Sequence, residues 1–96
     1  MMSEGGASVE MPKYRCHKEV WALQIAFLER RRLKPDQDDD GAYLLTPIDA
    51  GYAPLYVSRE WVRKHQPRIG GYYVRYTDGY ESFSPAQAFE EGYTRV

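Results

Sequence analysis

The chain has 96 residues, and its 13 Lys and Arg residues against 14 Asp and Glu residues give a formal net charge of −1. This length is enough for one small core, and the balanced charge argues against a dedicated nucleic-acid binder while leaving room for a local basic patch. The single cysteine, Cys16, excludes an internal disulfide, and no apolar run approaches the roughly 18 residues of a membrane span.

The first segment, residues 1–12, is predicted to be a disordered tail because its small and polar residues offer little surface to bury. It has neither the basic region nor the apolar core of a signal peptide. We therefore expect a cytoplasmic protein with one domain over residues 13–96.

Residues 17–30 fit two periodicities. At period two, Trp21, Leu23, Ile25 and Phe27 share one apolar face, whereas a helix would bring Leu23 and Phe27 onto a stripe with three neighbours. No capping residue precedes the run, and it is well supplied with β-branched and aromatic residues. The segment is therefore predicted to be a long, bent strand.

Residues 30–41 read RRRLKPDQDDDG and are predicted to form an exposed loop whose opposite charges neutralise each other. The DQDDDG run is similar in spacing to a calcium-binding loop. It lacks the glutamate that such a loop needs six positions after Gly41, where Pro47 stands. A solvated acidic loop is the favoured interpretation.

The middle of the chain predicts two short strands and a helix. Residues 43–46 form a strand that ends at Pro47, a turn follows over 48–54, and residues 55–57 form the next strand. Ser58 is predicted to cap a helix over residues 59–66, with Val57 and Val62 at the staple positions. Pro67 stops this helix.

The last third predicts a β-hairpin, since Asp78-Gly79 lies between two strand-like runs, residues 72–76 and 80–83. A two-residue turn would pair Thr77 with Tyr80 and place Tyr72, Val74, Tyr76, Glu81 and Phe83 on the inward face. Tyr73 would then pair with Ser84.

Residues 84–87 have the sequence of a capping box, in which Ser84 caps a short helix, Pro85 opens it and Gln87 completes the box. Phe89 faces the sheet, Gly92 ends the helix, and residues 93–96 are predicted to add an edge strand. The whole is an α+β fold: a small curved antiparallel sheet of four or five strands with two short helices.

No constellation of catalytic or metal-binding residues emerges. Cys16 and His17 are adjacent, so on a strand they point to opposite faces, and His65 is distant in sequence. No nucleophile lies in a recognisable catalytic motif, and Gly70-Gly71 precedes a strand rather than a helix. We predict a protein that is not an enzyme and that needs no cofactor or metal.

A binding surface is the favoured source of function. The predicted hairpin face combines aromatic rings and a guanidinium group, with Arg59, Arg63 and Arg68 nearby in sequence. The candidate binding residues are Tyr73, Arg75, Thr77, Tyr80, Ser82 and Arg63. The alternative is that this face is simply the solvent side of a two-layer domain.

Three runs carry a resemblance to a family: YRCHKEVWALQI, DAGYAPLYVSREWVRKHQP and GGYYVRYTDGYESFSPAQAFEEGYTRV. Over residues 14–96 the chain resembles a family of small, mostly uncharacterised phage and prophage proteins. It is more distantly similar to the sponge proteins with which phages sequester cyclic ADP-ribose-type signals of the Thoeris immune system. That second likeness uses Asp78-Gly79, Ser84, Phe89 and Tyr93, but not the tryptophans of the sponges.

The resemblance implies a phage accessory protein that acts in the cytoplasm of the host bacterium. The first hypothesis is a module that binds a host protein in takeover or counter-defence, and the second is an oligomeric sponge for a nucleotide-like signal. The third is a minor virion component. Membrane and nucleic-acid partners are not expected, and the aromatic content suggests a homo-oligomer.

Overall fold

The computed structural model describes residues 11–14 and 18–96. Five strands and two helices follow one another as β1 (Trp21–Arg30), β2 (Tyr43–Pro47), β3 (Leu55–Val57), α1 (Arg59–His65), β4 (Tyr72–Arg75), β5 (Glu81–Ser84) and α2 (Ala86–Gly92). The strands form one antiparallel sheet in the order β3-β2-β1-β4-β5, curled into a half-barrel. The predicted α+β class is confirmed. Most of the predicted tail, residues 1–12, lies outside the described residues, as do Cys16 and His17.

The longest strand, β1, runs through the middle of the sheet and changes partner halfway. Its first half pairs with β4, from Trp21 opposite Arg75 to Gln24 opposite Tyr72, and its second half pairs with β2. The register shifts between Ile25 and Phe27, so one extra residue bends the strand there. The prediction of a long, bent strand is confirmed over residues 21–30.

The bend in β1 breaks the predicted apolar face. Ile25 is fully buried, but Phe27 is 63 % exposed and Leu28 packs against the core instead. Side chains along a strand alternate between the two faces of the sheet, and the extra residue shifts this alternation by one position. Residues two apart on opposite sides of the bulge therefore no longer lie on the same face. Trp21, at the start of the strand, is 62 % exposed.

Two glycines join β4 to β1 at this bend. The N–H of Gly70 donates to the carbonyl of Ile25, and the N–H of Ile25 donates to the carbonyl of Gly71, each at 2.8 Å. Gly70 has a φ of +91°, and a Cβ on Gly71 would lie 2.4 Å from the ring of Phe83. Gly70 therefore meets a backbone requirement and Gly71 a spatial one, and glycine suits each position.

The core lies between the sheet and α1. Its buried cluster consists of one residue from each of five elements: Ile25, Leu45, Val57, Trp61 and Tyr73. Ser58 caps α1 as predicted, because its Oγ accepts the N–H of Trp61 at 3.0 Å. The cap fixes the first turn of the helix, from which Trp61 enters the core.

The hairpin differs from its predicted register by one residue. Tyr73 pairs with Phe83 and Arg75 with Glu81, while the N–H of Tyr76 donates to the carbonyl of Tyr80. The loop therefore contains three residues, 77–79, and Gly79 takes the positive φ of +90° that such a loop needs. The slip of one residue places Tyr73, rather than Val74, on the face that Phe83 occupies. The predicted pairing of Thr77 with Tyr80 is wrong.

The end of the chain also departs from prediction. Ser84 is the last residue of β5, its hydroxyl does not cap α2, and Gln87 bonds Glu91 rather than returning to the cap. Residues 93–96 form no strand. Phe89 does face the sheet, where its ring stacks on Tyr72 with centroids 4.1 Å apart, and α2 ends at Gly92 as predicted.

Candidate binding surfaces

The six predicted binding residues do not share one face. Tyr73 is only 3 % exposed, and its ring packs against Trp61 with centroids 5.5 Å apart. Arg75 lies on the same side of the hairpin as Tyr73, whereas Ser82 pairs with Val74 and lies on the other. The expectation that Tyr73 belongs to an exposed surface is therefore wrong, because the register slip turns it inward.

The hydroxyl of Tyr73 lies within a small cluster of polar side chains. It donates to the Glu81 carboxylate and accepts a hydrogen bond from Arg75 Nη2 at 3.0 Å, while Arg75 and Glu81 form an ion pair at 3.9 Å. Burial, and next the bond to Glu81, raise the pKa of Tyr73. The hydroxyl therefore stays protonated at neutral pH, and the Arg75 guanidinium is engaged within the fold.

Tyr80 lies beyond the hairpin loop with a different set of neighbours. Its ring stacks on Tyr76 at 5.8 Å, meets His65 edge-on at 6.3 Å, and has the ammonium of Lys64 5.1 Å from its centroid. Burial, and next the charge of Lys64, lower the pKa of His65. Thr77 is exposed in the same loop. These contacts fix the hairpin tip to α1 and leave Tyr80 45 % exposed.

Arg63, the remaining predicted residue, lines a separate cavity of about 260 Å³ between α1, β2 and the charged loop. We call this the arginine cavity, since three of its seven lining residues are arginines. The seven lining residues are Arg30, Asp39, Gly41, Tyr43, Arg59, Val62 and Arg63. The sequence pointed to Arg59 and Arg63, but not to Arg30, which reaches the cavity from the far end of β1.

The charged loop lines this cavity through Asp39 and Gly41, and two of its aspartates accept backbone hydrogen bonds. Asp39 accepts the N–H of Gly41 at 2.8 Å and pairs with Arg30 at 2.5 Å, and Asp40 accepts the N–H of Ala42 at 3.0 Å. The bond from Gly41, and next the bond from Arg30, lower the pKa of Asp39. The prediction that this loop neutralises its own charges is confirmed for Arg30 and Asp39.

Gly41 lies directly beneath Arg59. A Cβ at Gly41 would come within 2.7 Å of Arg59 Cδ, and the glycine has a φ of +78°. The close approach lets the aliphatic stem of Arg59 lie across the loop backbone while its charged end lies at the cavity. The loop conformation and the position of Arg59 therefore depend on each other.

A second, much larger depression is open and largely apolar. It has a volume of about 1510 Å³ and lies around the first half of β1, the β2–β3 turn and the C-terminal segment. We call it the apolar groove. Its aromatic and large aliphatic lining residues are Val20, Trp21, Leu23, Ile48, Tyr52, Leu55, Tyr72, Tyr73, Phe89, Tyr93 and Val96.

One wall of the apolar groove is an aromatic stack. Tyr72, Phe89 and Tyr93 stack in sequence, with centroids 4.1 and 4.6 Å apart. The hydroxyl of Tyr72 donates to Glu90 at 2.8 Å, and this bond raises the pKa of Tyr72. Arg95 ties the C-terminal segment to the β2–β3 turn through the hydroxyl of Tyr52 at 3.1 Å.

Among residues 11–14 and 18–96, no three or more His, Cys, Asp or Glu side chains are arranged to hold a metal ion. Within the same residues, no helix has the length and apolar character needed to cross a membrane.

The fold is similar to that of a phage structural protein. The chain matches the NMR structure of the monomeric form of the phage L decoration protein, with 30 % sequence identity and a TM-score of 0.57. The match covers 80 % of this chain and 52 % of the other, so the chain spans about half the length of the protein that it matches. No protein-family model and no curated protein matches the chain. The expected resemblance to a phage protein is thus supported by a solved structure.

Proposed function

We propose that the protein is a component of a phage virion that binds to the outer surface of the capsid, as a decoration protein does. One observation carries this proposal: the similarity to the phage L decoration protein extends over 80 % of the chain at 30 % identity. A match of that extent covers most of this small fold. The proposal therefore places the capsid-binding function in the half-barrel domain.

The surfaces of the domain are compatible with this role. A decoration protein acts by binding rather than by catalysis, and the described part of the chain forms exposed concave surfaces that include the arginine cavity and the apolar groove. The titratable side chains with altered pKa values support the fold: Tyr73 bonds Glu81 and Arg75, and Tyr72 bonds Glu90. Their contacts explain those pKa values without a catalytic role.

The similarity changes the order of the three hypotheses drawn from the sequence. From the sequence alone, a virion component is the third hypothesis, after a binder of host proteins and a nucleotide sponge. The solved structure supports the virion component. The binder of host proteins and the sponge have no comparable support.

The direct test uses capsids of the phage that encodes the protein, prepared from a deletion mutant of its gene. Purified protein is mixed with these capsids and separated on a sucrose gradient. We expect it to migrate with the capsids and to saturate them at a fixed number of copies. Capsids from the undeleted phage are the matched control, because their sites are already occupied and they should take up little added protein.

The opposite result is equally clear. Protein that stays at the top of the gradient at about 10 μM, well above the dissociation constant of a specific interface, contradicts the proposal. Recovery of one host protein in a stable complex would then favour the first hypothesis drawn from the sequence.

A further inference from the structure

The arginine cavity carries more positive charge than the fold uses. It is lined by the guanidinium groups of Arg30, Arg59 and Arg63 and by one carboxylate, that of Asp39. The lowered pKa of Asp39 keeps that carboxylate ionised at neutral pH, so the side chains around the cavity have a net charge of about +2. The whole chain, in contrast, has a net charge of −1. The positive charge is therefore local.

Two of the three guanidinium groups have donors available for a ligand. Arg30 is bound to Asp39 at 2.5 Å, whereas the ion pair of Arg59 is a 4.0 Å contact with Glu60, whose side chain is 76 % exposed. Exposed pairs of this kind contribute little. Arg63 lies one helical turn beyond Arg59, so both project from the same face of α1. Each guanidinium has five N–H donors in a planar fork that matches the geometry of a carboxylate.

The cavity is shaped for a single small anion. It is open to solvent, has a volume of about 260 Å³ and is bordered on its apolar side by Val62 and Tyr43. Gly41 fixes the stem of Arg59 against the loop, which reduces the conformational entropy lost when that guanidinium binds a ligand. Arginine is enriched among the residues that dominate the binding energy of protein interfaces.

The surrounding charges favour a carboxylate on a protein over the backbone of a nucleic acid. Asp36 and Asp38 lie exposed on the loop that forms one wall of the cavity, whereas Asp40 pairs with Arg31 at 3.3 Å. A continuous polyanion passing over the cavity would approach these aspartates closely and be repelled, whereas one isolated carboxylate would not.

We propose that the arginine cavity binds an acidic side chain of the capsid protein, with Arg59 and Arg63 as its two charged donors. This inference rests on the proposed capsid-binding function and identifies the chemistry of the partner. Arg63 is the main recognition residue, because it has no role in the core. Arg59 is the second recognition residue, and its position is set by Gly41.

The test compares Arg63→Gln with Arg63→Lys and with Arg68→Gln in the capsid-binding assay. Arg68 is an exposed arginine outside the cavity, so its replacement removes the same charge elsewhere. We expect Arg63→Gln to weaken binding about tenfold, as the loss of a charge-assisted hydrogen bond does. Arg63→Lys keeps the charge without the planar fork and should fall between wild type and Arg63→Gln. Arg68→Gln should bind as wild type does.

A second readout does not require a capsid. Sodium acetate is titrated into the ¹⁵N-labelled wild-type protein at low ionic strength, and amide shifts are followed by NMR. We expect saturable shifts centred on Gly41, Tyr43 and Arg63, which disappear in Arg63→Gln. Equal shifts in Arg63→Gln, or shifts scattered over all cationic residues, would overturn the assignment of the cavity.

The two proposals fail in different ways. If wild-type protein binds capsids and Arg63→Gln binds equally well, the cavity is not the recognition site, although the capsid-binding function stands. If Arg68→Gln weakens binding as much as Arg63→Gln does, general charge attraction replaces the specific contact. If the wild-type protein does not bind capsids, the proposed function fails. Tight binding of duplex DNA through Arg63 would overturn the choice of a carboxylate partner.

Discussion

Arg75 in the β4–β5 hairpin and Arg63 on α1 carry the same guanidinium group in different surroundings. Arg75 donates to the hydroxyl of Tyr73 and pairs with Glu81, so the fold itself uses its charge. Arg63 lines a cavity that it shares with two other arginines and only one carboxylate. An arginine whose donors are engaged inside the fold contributes to stability, and one whose donors remain available can donate to a partner.

The largest effect on stability should come from replacing Tyr73, the buried residue whose hydroxyl Arg75 contacts. Tyr73 is 3 % exposed and packs against Trp61, so Tyr73→Ala should lower the free energy of unfolding by about 3–5 kcal/mol. Tyr73→Phe keeps the ring and removes the hydroxyl that joins Arg75 and Glu81, and should cost about 1 kcal/mol. Urea denaturation of both variants measures the contributions of the ring and of the hydroxyl separately. Equal losses would show that the hydroxyl, not the ring, dominates this site.

The next effect concerns the glycine beneath the arginine cavity. Gly41→Ala places a methyl group against Arg59 at a φ of +78°, and we expect it to cost about 1–3 kcal/mol. It should also weaken acetate binding, because Arg59 must move away. Gly79→Ala is the matched control, with a φ of +90° and open space around the added Cβ. It should reduce stability through backbone strain alone and leave acetate binding intact.

A comparison of Gly41→Ala and Gly79→Ala in thermal melting and acetate titration separates the two effects. Unchanged stability in Gly79→Ala would contradict the three-residue hairpin loop, which requires a positive φ at that position. Unchanged acetate binding in Gly41→Ala would contradict the link between the loop and Arg59.

A smaller difference should separate the two arginines themselves. We expect Arg75→Gln to lower the free energy of unfolding by about 1 kcal/mol, since it leaves the half-exposed Glu81 without its ion-pair partner. Arg63→Gln should change it by less than about 0.5 kcal/mol, because no core contact depends on it. Chemical denaturation of the two variants under identical conditions tests this. A larger loss in Arg63→Gln would mean that this arginine supports the fold.

The smallest effect is a pH dependence that arises at the hairpin tip. His65 is packed against Trp61 and Tyr80 beside Lys64, so its folded-state pKa lies below its ordinary value of 6.5. The unfolded chain therefore binds the proton first as the pH falls, and stability should decrease below about pH 6.5 until His65 in the folded chain also titrates. His65→Gln should remove this part of the decrease in melting temperature. An unchanged pH profile would assign the decrease to other groups.

Most features that depend on residues close together in sequence were predicted correctly. The bent strand β1, the Ser58 cap of α1 and the positive φ of Gly79 all follow from residues that lie within a few positions of one another. The capping box at Ser84 was equally local and still failed, because pairing of Ser84 with Tyr72 holds it in β5. Tertiary strand pairing outweighs a cap that contributes about 1 kcal/mol.

The candidate site was harder to predict for two reasons. One residue of difference in loop length moved Tyr73 from the expected surface into the core, because strand faces alternate at every residue. The arginine cavity brings Arg30 to Arg63 across the sheet, and no local pattern relates residues so far apart. Arg63 itself was among the predicted binding residues, but its grouping with the hairpin was not correct.

The central claim is that this half-barrel domain binds to the outside of a phage capsid, and cryo-electron microscopy tests it most directly. Capsids from the deletion mutant are imaged before and after addition of the purified 11.2 kDa protein. The account predicts new density at symmetry-related positions on the outer surface, with the arginine cavity against an acidic side chain of the capsid protein. Identical maps with and without the protein, at saturating concentration, would contradict it.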